Sequence, residues 1–182
     1  LVTLKRGTRS VAQVQALIAD PDTLIAQLEH LRPAPAALSA LEILKADPKT
    51  RDPLVATCAQ AFQWLADARL RHLVGATSFD FADLATGRVD LFVAVPPEYK
   101  DLLAPLLRWF LSDLFTSVRR NRPAERILVM IDEAAALGRF SEILTASAEL
   151  PGYGASLWTL WQDRSQIVGL YGQAGADTIL TP

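Results

Sequence analysis

The chain has 182 residues, of which 51% are hydrophobic and 21% are charged. This composition is that of a globular protein with a sizeable core, and it excludes a disordered tail, a collagen-like rod and a low-complexity segment. The net charge of −2 gives no overall case for nucleic-acid binding, and the single cysteine, Cys58, excludes a disulfide framework and a multi-cysteine metal site.

Residues 1–75 are predicted to form a small all-helical module, with no strand before residue 88. Ser10 followed by Gln13 is a capping-box pattern, and Asp20-Pro21 and Asp52-Pro53 are typical helix starts, with proline at the first helical position. The apolar stripes of the last two helices are Leu38, Leu41 and Leu44, and then Val55, Ala59, Phe62, Leu65, Ala66 and Leu70. Cys58 falls on the apolar face of the last and longest helix, so we expect it in the core.

Residues 76–182 are predicted to form an α/β domain. Val89 to Val95 and Ile127 to Ile131 are continuous apolar runs, which are typical of strands buried on both faces of a parallel sheet. Ser156 to Trp161 predicts a third strand, and a fourth is expected to begin at Thr178. The predicted helices carry Leu103, Leu107, Phe110, Leu114 and Val118, then residues 140–149, then residues 166–171. Because strands and helices alternate, we expect parallel pairing with right-handed crossovers.

A membrane span is not predicted, although the mean hydropathy of +0.20 is high. The best candidate, residues 102–115, is too short and carries Pro105, Arg108 and Asp113, whereas a spanning helix needs about 20 largely apolar residues. No signal peptide is recognisable. The chain does not begin with methionine, which leads us to expect a piece of a longer protein.

Two carboxylates follow the strand at Ile127 to Ile131 directly, in the arrangement called Walker B. The strand would place Asp132 and Glu133 at the carboxyl edge of the sheet, where ligands of open α/β folds bind. The first acid of such a pair holds a Mg²⁺ ion beside nucleotide phosphates, and the second accepts a proton from the attacking water or orients it. The alternative is that Asp132-Glu133 is a polar helix cap.

Gln162 follows the next predicted strand and would lie beside Asp132 and Glu133 if the two strands are neighbours. Its amide could hydrogen-bond the γ-phosphate or the attacking water. The partner motif of such a site is absent, because a phosphate-binding loop ends in Gly-Lys-Ser/Thr and the chain contains no Gly-Lys dipeptide. The glycines at 152, 154, 169, 172 and 175 are interpreted as turn residues.

Two other residue groups have a structural and a functional interpretation. Four arginines, Arg119, Arg120, Arg122 and Arg126, form the one local excess of positive charge. They are interpreted as a helix end and loop, with a phosphate or DNA contact as the alternative. The four tryptophans are interpreted as packing residues rather than base-stacking platforms. The two histidines, His30 and His72, have no ligand-spaced partners, so a histidine metal site is not expected.

Several ordered motifs between residues 75 and 182 resemble the type IV coupling proteins of conjugation and type IV secretion (the VirD4/TraG family). They are Val89-Asp-Leu-Phe-Val-Ala-Val-Pro-Pro97, Leu103-Ala-Pro-Leu-Leu-Arg108, Ile131-Asp-Glu-Ala-Ala-Ala-Leu-Gly-Arg139, Gly152-Tyr-Gly154, Gln162-Asp-Arg-Ser-Gln166 and Leu170-Tyr-Gly172. The helical first part resembles, more loosely, the all-α domain of that family.

The resemblance implies a fold and a function. The fold is a RecA-like parallel-sheet ATPase core, present here in part (residues 76–182), with an all-helical module for recognising cargo or the relaxosome (residues 1–75). The resemblance implies ATP and Mg²⁺ as cofactors, Asp132 as metal and nucleotide ligand, and Glu133 and Gln162 as catalytic residues, with Gln162 also sensing the phosphates. The phosphate loop and membrane spans would precede Leu1, so we expect the 182 residues alone to hydrolyse no ATP.

The family also implies partners and a location. These are a hexameric ring of identical subunits, relaxosome and secretion-channel proteins, a DNA or nucleoprotein substrate, and the cytoplasmic face of the bacterial inner membrane. Some relatives carry an arginine before the strand that leads to the glutamine and use it to reach the neighbouring subunit's nucleotide. Leu150-Pro151-Gly152 stands there in this chain, so Arg139 or Arg164 would have to serve instead. A cargo adaptor without catalysis and another ring-forming DNA-translocating ATPase are the alternative functions.

Overall fold

The computed structural model of the chain describes residues 10–31, 34–75 and 79–180. The chain divides into two compact units, Leu1–Thr77 and Ser78–Pro182. In the described ranges no helix has the length and apolar character needed to cross a membrane.

The described residues of the first unit form five α-helices: α1 (Val11–Ala19), α2 (Pro21–Glu29), α3 (Pro35–Leu44), α4 (Pro48–Ala61) and α5 (Ala68–Leu73). The first two predicted helix starts are confirmed. The Ser10 hydroxyl accepts a hydrogen bond from the Gln13 amide at 3.2 Å, and an Asp20 carboxylate oxygen accepts one from the Thr23 amide at 3.2 Å. These bonds satisfy amide groups that have no partner inside the first turn of a helix.

The predicted helix start at Asp52-Pro53 is wrong. The helix α4 begins five residues earlier, where Asp47 accepts a hydrogen bond from the Lys49 amide at 2.9 Å and Pro48 is the first helical residue. Pro53 lies inside this helix. Both Asp-Pro pairs carry the same start signal, and the earlier one begins the helix. The helix continues through Pro53, although an interior proline removes one amide donor and crowds the carbonyl four residues earlier.

The long helix predicted to continue to Leu70 is interrupted. It ends at Ala61 and is followed by a short 3₁₀ helix, Gln63–Ala66, before α5 begins after Asp67. Trp64 and Leu65 are buried in this 3₁₀ segment. Asp67 caps α5 through the Arg69 amide at 2.8 Å, and such local bonding by aspartate competes with a continuous helix.

Cys58 is exposed, so its predicted place in the core is wrong. The helix α4 that carries it has no buried residue at all. The core of the first unit is instead provided by Ala37, Leu41 and Leu44 of α3 together with the 3₁₀ segment. The periodicity of α4 therefore indicated a helix correctly, but not the face that packs.

The second unit alternates helices with two parallel strands. Its helices are α6 (Lys100–Arg120), α7 (Glu142–Glu149) and α8 (Arg164–Leu180), and its strands are β1 (Ile127–Ile131) and β2 (Ala155–Thr159). The strands pair in register from Ile127 opposite Ala155 to Ile131 opposite Thr159. The predicted α/β order and parallel pairing are confirmed for these two strands.

The core of the second unit lies between α6, α7 and one face of the sheet. Phe115, Ile143 and Leu150 are fully buried there, and the predicted positions Leu114 and Val118 of α6 are buried beside them. Arg119, at the end of α6, forms ion pairs with Glu142 at 3.4 Å and Glu149 at 3.3 Å, which join α6 to α7. Its charge is used inside the unit, which favours the helix-end interpretation for this arginine.

The sheet is buried on one face only within the described chain. Ile127, Val129 and Ile131 pack toward the core, whereas Leu128 and Met130, which alternate with them, are exposed. The expectation that β1 is buried on both faces is therefore wrong for the residues described.

Two predicted strands are not formed. Residues 88–96 carry no regular secondary structure, and Phe92 is 90% exposed. A strand needs a neighbour to satisfy its backbone groups, and β1 and β2 pair only with each other in the described ranges. The strand expected at Thr178 is instead the end of α8, where the Thr178 hydroxyl donates to the Ala174 carbonyl at 3.0 Å. Residues 181 and 182 of that prediction lie outside the described residues.

Candidate functional site

The carboxyl ends of β1 and β2 remain paired beyond the last strand residues. The Leu160 amide donates to the Ile131 carbonyl at 2.9 Å, and the Ala134 amide donates to the Leu160 carbonyl at 3.0 Å. Because the strands are parallel, both chains leave the sheet at the same edge. The residues that follow each strand are therefore neighbours, although they are about 30 positions apart in sequence.

Glu133 and Gln162 make direct contact at this edge. The Gln162 amide nitrogen Nε2 donates to the Glu133 carboxylate oxygen Oε2 at 3.2 Å, and both side chains are exposed to solvent. The expectation that the glutamine lies beside the carboxylates if the strands are neighbours is confirmed for Glu133. A carboxylate and an amide held this way can together orient a water molecule.

The helix-cap alternative does not account for Glu133. The residue stands at the N-cap position of the short 3₁₀ helix Ala134–Leu137, but its side chain makes no capping hydrogen bond. Asp132 is exposed and makes no hydrogen bond or ion pair with any described residue. Its two carboxylate oxygens are therefore free to bind a cation or water.

Gln162 is held from the start of α8. Its backbone amide donates to the Gln166 side-chain oxygen at 3.1 Å, and Asp163 accepts hydrogen bonds from the amides of Ser165 at 2.7 Å and Gln166 at 3.2 Å. The Ser165 hydroxyl bond, followed by the Gln166 amide bond, holds the pKa of Asp163 below its usual value. Sequence reasoning assigned no role to Gln166, although the Gln162-to-Gln166 motif contained it.

The two candidate trans-acting arginines differ in their surroundings. Arg164 forms an ion pair with Asp177 at 3.0 Å on α8. Arg139 is exposed in the loop after the carboxylate pair, and it makes no ion pair or hydrogen bond to the part of the chain that is described. Arg139 is thus the one of the two whose charge is unpaired, so its guanidinium is available to an external anion.

The other predicted groups lie away from this edge or have internal partners. Arg126 donates to the Ser156 hydroxyl at 3.2 Å and remains exposed to solvent. Trp64 is buried and Trp161 packs on Tyr171, whereas Trp109 and Trp158 are exposed. Across the described ranges no three His, Cys, Asp or Glu side chains lie close enough to hold a metal ion.

Comparisons with known proteins give one consistent result. A family model described as Type IV secretory system Conjugative DNA transfer matches residues 11–182. The chain is 25% identical over 178 residues to the type IV secretion system-coupling protein VirD4 of Bartonella quintana, covering 92% of this chain and 27% of that protein. It is 29% identical over 127 residues to the conjugal transfer protein TraG of Rhizobium radiobacter, covering 69% of this chain and 20% of that protein.

Solved structures show the same fold. The plasmid coupling protein TrwB in complex with ADP and Mg²⁺ matches with a TM-score of 0.65 and 21% identity, over 95% of this chain and 41% of that chain. These matches show that the chain has the predicted fold, a partial RecA-like core with an all-helical part. The chain spans about a quarter of the length of the VirD4 relatives that it matches.

Proposed function

This chain belongs to the type IV secretory system conjugative DNA transfer family, and on that premise we propose that it supplies part of an ATPase that drives DNA or protein substrates into a type IV secretion or conjugation channel. The observation that carries the proposal is the Glu133–Gln162 hydrogen bond at the carboxyl edge of two parallel strands, with Asp132 unpaired beside it. The family match favours a coupling protein over another ring-forming DNA-translocating ATPase.

Each of the three residues has a role in the proposed reaction. Asp132 would hold a nucleotide-bound Mg²⁺ ion, through water or directly. Glu133 accepts a proton from the attacking water or orients it, and Gln162 donates a hydrogen bond to that water or to the γ-phosphate. Gln162 also restrains the rotation of the Glu133 side chain, because its amide hydrogen bond holds one of the two carboxylate oxygens.

The residues present fit a nucleotide-bound magnesium ion. Mg²⁺ at such sites keeps several water ligands and takes only one or two carboxylates from the protein, with the phosphates supplying the rest. Asp132 alone meets that requirement because its oxygens have no partner among the described side chains. When bound, the cation would neutralise charge on the phosphates during their transfer.

The assembly and location belong to the same proposal. We expect identical subunits to form a hexameric ring at the cytoplasmic face of the bacterial inner membrane, in contact with relaxosome and secretion-channel proteins. The relatives are named for type IV secretion and conjugal transfer, which supports an association with that apparatus. Arg139, the unpaired arginine, is the candidate to reach a neighbouring subunit's nucleotide.

The helical first unit is proposed to recognise cargo or the relaxosome. It forms a compact unit of its own, and the site at the sheet edge uses none of its residues. A pull-down of candidate cargo with residues 1–75, against a helical protein of similar size, tests this role. Retention no greater than that of the helical control would contradict it.

The substitution Glu133→Gln in a full-length protein that carries this sequence tests the catalytic proposal. We expect ATP binding to be unchanged and hydrolysis to fall by about 10²–10⁴-fold, because the amide keeps the shape but cannot accept the proton. Binding is measured with a fluorescent nucleotide analogue and hydrolysis by phosphate release.

Glu98→Gln is the matched control, since Glu98 is an exposed glutamate of the same unit that lies outside the sheet edge. Its hydrolysis rate should equal that of the wild type. A Glu133→Gln protein with full hydrolysis would remove Glu133 from the proposed role.

A further inference from the structure

Tyr171, in the middle of α8, reaches the loop that follows the carboxylate pair. Its hydroxyl accepts a hydrogen bond from the Phe140 amide at 3.2 Å. The same hydroxyl lies 3.4 Å from the Gly138 carbonyl and 3.3 Å from the Phe140 carbonyl, so its single proton is donated to one of them. One side chain thus binds the Phe140 end of the segment Gly138–Phe140, which contains Arg139, and lies within hydrogen-bond distance of its Gly138 end.

The ring of Tyr171 contacts the second strand end. Its centroid lies 6.1 Å from that of Trp161 in an edge-to-face arrangement, and Trp161 is fixed in turn by a hydrogen bond from its indole nitrogen to the Thr159 hydroxyl at 2.9 Å. Trp161 directly precedes Gln162. Tyr171 therefore touches both segments, the loop after Glu133 and the strand end before Gln162.

The backbone of α8 is adapted to this position of Tyr171. Gly172 has a φ of +71°, which breaks the helix directly after the tyrosine and which residues with a Cβ rarely adopt. Gly175 lies so close that a Cβ added to it would stand 2.5 Å from the Tyr171 Cβ. In a regular helix, residues four apart keep their Cβ atoms about 5–6 Å apart. The break and the missing side chain together make room for the tyrosine.

The surroundings of the Tyr171 hydroxyl keep it protonated. Burial raises the pKa of the phenol above 10.0, and the Phe140 amide bond and the charges of Arg108 and Arg139 offset this in part. At neutral pH the hydroxyl is therefore both donor and acceptor. Arg108 supports the same loop from α6, because its guanidinium donates to the Leu137 carbonyl.

We propose that Tyr171 is a positioning residue that holds the Gly138–Phe140 loop and the Trp161–Gln162 strand end in fixed relation, and thereby aligns Gln162 with Glu133. This inference rests on the proposed ATPase function for its kinetic consequence. In this arrangement Gly172 and Gly175 allow the position of Tyr171. Tyr171 in turn joins the loop after Glu133 to the strand end before Gln162.

Hydrogen–deuterium exchange in the full-length protein tests whether the Tyr171 hydroxyl holds the Gly138–Phe140 loop. In Tyr171→Phe, which keeps the ring and removes the hydroxyl, peptides covering residues 134–140 should exchange at least about fivefold faster, since the Phe140 amide loses its acceptor. Tyr153→Phe is the matched control, because Tyr153 is exposed in the same unit. Equal exchange of residues 134–140 in the two variants would overturn the proposal.

A double-mutant cycle tests whether Tyr171 affects ATP hydrolysis through Gln162. Tyr171→Phe should lower kcat by about 10-fold to 100-fold with an unchanged KM for ATP, because alignment and not nucleotide binding is lost. In a Gln162→Ala background the same change should have almost no further effect. Independent, multiplicative losses in the two backgrounds would show a general structural role and overturn the proposal.

Failure of this inference can be told apart from failure of the proposed function. A full-length wild-type protein that hydrolyses no ATP would refute the proposed function, while the exchange experiment would still decide whether Tyr171 holds the loop. A hydrolysing protein in which Tyr171→Phe leaves kcat unchanged would refute the positioning role alone.

Discussion

At the scale of single residues, the contact with Gln162 occupies only one of the two carboxylate oxygens of Glu133. Gln162 bonds to Oε2, and Oε1 has no hydrogen-bond donor within the described parts of the chain. One oxygen thus fixes the orientation of the group while the other remains open to accept a proton or a water molecule. A side chain that is oriented in advance loses less conformational entropy when it binds its substrate.

Gly175 gives a prediction at this scale. Gly175→Ala should lower the stability by about 1–3 kcal/mol, because the new methyl group would overlap Tyr171 and force the helix or the ring to move. Thermal unfolding of the full-length protein, followed by circular dichroism and by exchange of residues 134–140, measures both the loss and its location.

Gly169→Ala is the control in the same helix. No atom lies within 4 Å of the position that its Cβ would take, so alanine should stabilise α8 by about 0.5–1 kcal/mol through its helix preference. Equal effects of the two substitutions would contradict the close approach of Gly175 to Tyr171.

At the scale of elements, aspartate and serine caps mark the starts of four of the five described helices of the first unit, whereas α3 begins after Ala34 without a side-chain cap. Ser10, Asp20, Asp47 and Asp67 each accept a hydrogen bond from an amide two or three residues later. Asp67 is the most consequential of them, since it separates α5 from the preceding 3₁₀ segment. Hydrogen bonds from the Arg69 side chain and then from its amide lower the pKa of Asp67 from 3.8 to about 2.

The pH dependence of this cap follows from the direction of the shift. A carboxylate whose pKa is lower in the folded state stabilises that state above the unfolded pKa, and the stabilisation is lost as the pH falls toward the folded value. Asp67→Ala should therefore lower the Tm at pH 7, and the difference from the wild type should shrink between pH 4 and about pH 2. Thermal melts across that range measure it.

Glu42→Ala is the control for this prediction, because Glu42 is an exposed carboxylate of the same unit without a hydrogen bond to a described residue. Its Tm should follow that of the wild type at each pH. A Tm difference for Asp67→Ala that is constant from pH 7 to pH 2 would contradict the role of the ionised cap.

At the scale of the whole molecule, the second unit carries an apolar sheet face without a cover in the described chain. Leu128, Met130 and Trp158 on this face are 49%, 55% and 58% exposed. Large apolar side chains grouped on one surface favour association with another apolar surface. The high mean hydropathy of the chain has one of its sources here.

The 182-residue chain is predicted to self-associate through this face. Replacing both Met130 and Trp158 by glutamine should weaken the association at least about tenfold, since burial of a large apolar side chain contributes about 1.5–3 kcal/mol. Sedimentation velocity over a range of protein concentrations measures the change. Trp109→Gln, at an exposed position of α6, should leave the association unchanged; a similar loss there would show that the sheet face is not the interface.

The sequence by itself determined the features that depend on near neighbours. Helix starts at Ser10 and Asp20, the apolar stripe of α6, the strand at Ile127–Ile131 and the carboxylate pair after it could all be predicted, because caps and periodicity act within a few residues. The resemblance to coupling proteins was carried by the same kind of local motif, and the family match confirmed it.

The tertiary structure decided which of these elements meet. Val89–Val95 has the composition of a strand but no partner in the described chain, and Cys58 has helical spacing on a helix that buries nothing. The contact between Glu133 and Gln162 depends on β1 and β2 being adjacent, and the role of Tyr171 depends on a helix break at Gly172, far along the chain from Glu133. These are interactions between distant parts of the chain, and only a packed fold brings their partners together.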